Sequence, residues 1–146
     1  MRQIDQTAWA AAFARWVLGL TFFMAGWWKT WELTPAGHAE RFFLGQFTET
    51  WIPVWLLWAL GVAIPVVELA AGALVILGLL RRPAYLALGV VLVIVTYGHL
   101  LIEPLFSLTG HIFVRLALLL FVMMVPIERD RLALDVVRNR RGAAGY

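Results

Sequence analysis

The chain has 146 residues, 62% of them hydrophobic and 14% charged, with a net charge of +3 and no cysteine. Soluble domains average roughly 45–50% apolar and about 25% charged, so a water-exposed globule is excluded and one integral membrane domain, 1–146, is expected. The basic balance does not indicate nucleic acid, because the arginines sit at the ends of apolar segments, where they orient helices in a bilayer.

Segment one, about 9–31, carries Trp9, Arg15 and Lys29. Asp5 and Gln6 precede it, and Arg15 interrupts the apolar run, so it reads as a retained helix and not as a cleaved leader. A polar connection, 32–52, follows. In it Thr34-Pro35 is a helix start, with the threonine as N-cap and the proline at the first helical position. Phe42, Phe43 and Phe47 come next, so a short interfacial helix with its apolar side down is expected in this loop.

Segment two, about 53–80, is the organising stretch. It is over-long for a straight span, and the expectation is tilt or interfacial first turns. Glu68 lies near its middle. A charge at that depth costs roughly 3 kcal/mol or more unless it is paired or protonated, which makes it a functional-site candidate. Pro65 frees the Gly61 carbonyl from its helical bond. Segment three, about 83–102, and segment four, about 108–125, complete four spans. The tail, 128–146, alternates arginines with Leu132, Ala133, Val136 and Val137. It reads as a surface helix or a frayed end whose arginines meet lipid headgroups.

Arg2, Arg81 with Arg82, and the tail arginines all fall on one side of a four-span arrangement, so both termini are expected in the cytoplasm. The bacterial inner membrane is the expected location. Seven of the eight tryptophans fit interfacial belts: Trp9 inside, and Trp27, Trp28, Trp31, Trp51, Trp55 and Trp58 outside.

Each span carries one polar or glycine stripe. The stripes are Arg15, Gly19, Phe22, Gly26 and Lys29; Gly61, Pro65, Glu68 and Gly72; Thr96, His99 and Glu103; and His111 with Arg115. Turning all four inward gives an all-α four-helix bundle with a polar interior and glycine-mediated close approaches. Counting from the loops at ~1.5 Å per residue puts Arg115 closest in depth to Glu68, with Arg15 second.

The run from Arg15 through Gly19, Phe22 and Gly26 to Lys29 is similar to the opening helix of the DoxX/DoxD family. Glu68-Leu-Ala-Ala-Gly72, with Gly78 and the basic turn Arg81-Arg82, resembles that family's second-helix pattern. The resemblance spans about 13–125. It implies a four-helix subunit of a quinone-linked oxidoreductase that oxidises a small sulfur anion such as thiosulfate.

The resemblance carries over to Arg15, Lys29 and Glu68; with Arg115, His99 and His111 added from their spacing alone, Glu68, Arg115, His99 and His111 are the catalytic candidates, and Lys29, Arg15 and Arg41 attract the anion. Quinone is then a substrate, with protons moved by Glu68 or the histidines. A b-type haem held by His99 and His111 is an alternative, and no other metal site is expected. Without cysteine, thiol relays cannot be on this chain. The alternative from a different class is a non-catalytic accessory or assembly subunit of a larger membrane complex. In either case the partners are the lipid bilayer and other membrane subunits or further copies of the chain.

Overall fold

The structure is a computed structural model that describes residues 6–105 and 109–143, without the side chains of 109, 111 and 139–143. Among the described residues it is all-helical. Helix α1 is Gln6–Trp31, α2 is Val54–Leu77, α3 is Arg81–Ile102, α4 is Val114–Met124 and α5 is Leu134–Ala143. The first three are long and apolar enough to cross a membrane. Helix α4 has 11 residues and is preceded by a π-helical stretch, Thr109–Phe113. The expected start of the fourth span, Leu108, lies outside the described residues, as do Arg2 and the side chains of Arg140 and Arg141.

The helices form a ring in which α1 packs on α2, α2 on α3, α3 on α4, and α4 back on α1. Leu18, Phe22, Ile64, Val75, Leu88, Val91 and Leu119 fill its centre. The α1–α2 contact is the most intimate, because glycines on both helices let the backbones meet. A Cβ on Gly72 would lie 2.6 Å from the Phe23 amide nitrogen. A Cβ on Gly26 would strike the Leu69 amide nitrogen and lie 2.8 Å from its Cα and 2.9 Å from the Pro65 carbonyl oxygen.

None of these is a flexible side-chain end, so Gly26→Ala should lower stability by ~1–3 kcal/mol, the usual cost of overpacking. Among the described residues Gly89→Ala meets only Leu119 Cδ2, at 3.6 Å, and should be neutral. Unfolding midpoints of the two variants in detergent check the contrast.

Helix α2 stops at Leu77, three residues earlier than the apolar run suggests, because Gly78 adopts φ 70°. The Leu79 amide donates back to the Leu74 carbonyl at 2.9 Å, which closes the helix end. Glycine is needed here twice over, since a Cβ would also lie 2.6 Å from that of Ala133.

The loop between α1 and α2, called the outer loop after the orientation expected from the arginines, is helical: the Gly37 amide donates to Thr34 Oγ1 at 3.1 Å. It runs as Pro35–His38, a π-helical Ala39–Leu44 and Gly45–Phe47. Its buried side lies against the bundle, with Ala39 on Gly61 of α2 and Phe47 on Gly98 of α3.

Candidate functional site

Glu68 is buried in the ring, its side chain 2% exposed, and Lys29 of α1 donates to its Oε2 at 2.7 Å. The partner expected from depth was Arg115, then Arg15. The structure assigns neither. Helix α1 meets α2 with Gly26 opposite Pro65 and Leu69, so the last turn of α1 faces the middle of α2 and brings Lys29 to Glu68. Arg115 instead lies over the Phe22 ring at 5.2 Å from its centroid, a cation–π contact that ties α4 to α1.

Arg15 belongs to a second buried cluster at the opposite end of α1. Its Nε donates to Asp130 Oδ2 at 2.8 Å, and its Nη1 donates to the Val75 carbonyl at 2.8 Å and to the Ile76 carbonyl. Arg81 Nη1 donates to the same Asp130 oxygen at 3.2 Å. Arg81 Nε also pairs with Asp135 at 3.5 Å. The Asp135 carboxylate accepts the Leu80 and Arg81 amides, each at 3.3 Å, so it caps the start of α3 from a distant part of the chain. Arg15 is therefore neither the partner of Glu68 nor open to an anion from solution. It is 1% exposed and tied down by the tail.

Between these helices' outer ends and the outer loop lies a cavity of about 480 Å³. Trp28, Lys29, His38, Phe43, Val95 and His99 are on its wall. His38 is buried, and its Nδ1 donates to the Gly61 carbonyl at 2.7 Å. That carbonyl is the acceptor that Pro65 releases from the helix ladder. A carbonyl can only accept, so the bond fixes the Nδ1–H tautomer.

Burial holds the His38 pKa below its usual value of 6.5. The Gly61 bond acts in the opposite direction, and the Lys29 ammonium adds to the lowering. The unfolded chain thus takes up a proton near pH 6.5 while the folded imidazole stays neutral. Stability from this group is complete above that pH and falls as pH drops toward the lowered value. His38→Gln, which can still donate, should flatten the dependence of the unfolding midpoint between about pH 7.5 and 5.5.

The third expected stripe is not a buried one. Helix α3 turns Ala84, Tyr85, Leu88, Val91 and Leu92 inward, while Glu103 is exposed just past its end. His99 is exposed and reaches the cavity wall from α3. Arg41 is exposed and lies over the Phe42 ring, 5.6 Å from its centroid. The side chain of His111 lies outside the described residues.

A family model described as "Methylamine utilisation protein MauE" matches residues 7–111. The chain belongs to the MauE family. No curated protein and no solved structure matches it. This overturns the DoxX resemblance, and with it the reading as a thiosulfate-oxidising subunit. What produced the resemblance is now visible. The spaced glycines let two membrane helices meet, Lys29 and Glu68 pair across them, and Arg15 donates to carbonyls of the facing helix. That pattern is a packing requirement and not a mark of one family.

In this MauE chain the matched residues contain the Lys29–Glu68 pair and the outer cavity, whereas Asp130 and Asp135 lie beyond the match. Sequence reasoning missed both tail carboxylates and His38. The signal for His38 was present: a proline-freed carbonyl in a membrane helix calls for a donor. The tail carried a weaker one, two aspartates among arginines directly after the last apolar segment.

Proposed function

We propose that this chain is a non-catalytic accessory subunit of a membrane system for methylamine utilisation, with four spans and both ends on the cytoplasmic side. The observation that carries the reading is how the charged side chains of the bundle are used. Lys29 holds Glu68, Asp130 holds Arg15 and Arg81, and Arg115 rests on Phe22. Each contact joins two different elements, so together they fasten the bundle. The family description supports membership in an amine-utilising system.

Glu68→Gln separates the readings in a host that grows on methylamine. An accessory role predicts less assembled complex in the membrane, with amine-dependent turnover per assembled complex within about twofold of wild type. Full assembly with turnover abolished would assign Glu68 to the chemistry instead.

A further inference from the structure

We propose that the outer cavity is a binding site for a single-tailed amphiphile whose head presents carbonyl or carboxylate oxygens. The inference does not depend on the accessory role.

Two observations define the ligand. The first is polarity. Among the described residues the cavity wall carries Lys29, His38, Gln46 and His99, and no carboxylate. Glu68, the acid closest to it through Lys29, is 2% exposed and sits behind the ammonium it accepts from. An ammonium has three N–H donors and the Glu68 bond uses one. With 21% of the Lys29 side chain exposed, its remaining donor directions suit an oxygen acceptor in the cavity. Because the ammonium is already neutralised by Glu68, a neutral carbonyl is as acceptable as an anion.

The second observation is the rest of the wall. Phe42, Phe43 and Phe47 come from the outer loop, and Ile64, Ile94 and Val95 from α2 and α3. An apolar enclosure with a few convergent polar groups is the usual form of a small-ligand site, and about 480 Å³ lies within the usual ~300–1,000 Å³ range. That volume suits one ring or one chain. Exposed Trp28 and His99 stand at the rim, so a tail can leave toward the bilayer while the head stays at Lys29.

The architecture explains why such a space exists. Helix α1 ends at Trp31, while α2 continues outward to Val54. The outer loop packs on that extension through Ala39 and Gly61, and on α3 through Phe47 and Gly98. Between these two seams the three elements stand apart.

The test uses full-length protein in nanodiscs, with empty nanodiscs subtracted, and two radiolabelled probes: oleate for a carboxylate head and decylubiquinone for a ring dicarbonyl. Saturable binding of one probe at one site per chain is expected, and which probe saturates identifies the head. Val95→Trp, which fills the cavity, should weaken binding at least tenfold, and His99→Phe should weaken it severalfold. Phe121→Ala, on the exposed face of α4, should leave it unchanged. Ile94→Phe is the milder filling variant if Val95→Trp does not fold. Absence of saturable binding for both probes, or wild-type affinity in a folded filling variant, would overturn the proposal.

Discussion

Replacing Asp130 with alanine is expected to lower stability by ~3–5 kcal/mol, the usual cost of leaving a buried charge without its counter-ion. One carboxylate oxygen, Oδ2, accepts from both Arg15 and Arg81, and those side chains are only 1% and 3% exposed. Removing it leaves Arg15 without a counter-ion and Arg81 with Asp135 alone, at 3.5 Å, in a low-dielectric site. Arg15 would keep its bonds to the Val75 and Ile76 carbonyls, which hold its position but not its charge. Asp130→Asn keeps an oxygen in place of Oδ2 and removes only the charge, so it should fall between alanine and wild type. Unfolding midpoints in mild detergent give the order. Wild-type stability in the alanine variant would mean that the tail does not hold the arginines.

The second large effect is expected at the Lys29–Glu68 pair. Glu68→Leu alone should cost ~3–5 kcal/mol, because it leaves the Lys29 ammonium against an apolar interior. Lys29→Met alone should cost somewhat more. Part of the lysine is exposed, while the carboxylate it abandons is almost fully enclosed. The double variant should recover most of the loss, since two apolar side chains of similar length can fill the same space. A double-mutant cycle on the unfolding free energies reads the coupling directly. Simple additivity of the two losses would show that the 2.7 Å contact has little energetic weight.

Much of the bundle was legible because membrane helices expose their packing logic. Arg15, Gly19, Phe22 and Gly26 are all buried on one side of α1, and Gly61, Pro65, Glu68 and Gly72 on one side of α2, as their spacing requires. The pairing of Glu68 was not legible. Depth counted from loop ends assumes that neighbouring helices end at the same level, and here they do not. The outer loop covers the beginning of α2, so α1 ends lower and delivers Lys29 to the level of Glu68. The over-long second span has the same explanation: its first turns support the outer loop.

The inner cluster was hidden for another reason. Arg15 and Asp130 are 115 positions apart, and Asp130 lies in a charged stretch that reads locally as solvated surface. No periodicity links a helix interior to a turn that far along the chain. Family recognition failed where the residues being matched serve helix packing, since unrelated membrane bundles face the same geometric demand.

The tail clasp has a consequence for biogenesis. The first helix leaves the ribosome carrying Arg15, and the hairpin between the second and third brings Arg81, long before Asp130 and Asp135 have been translated. Until then these arginines have no acidic partner from the tail. The inner end of the bundle can therefore lock only after the last apolar segment has been inserted. A nascent chain stalled before Asp130 would hold Arg15 and Arg81 in the bundle without the carboxylate that joins them.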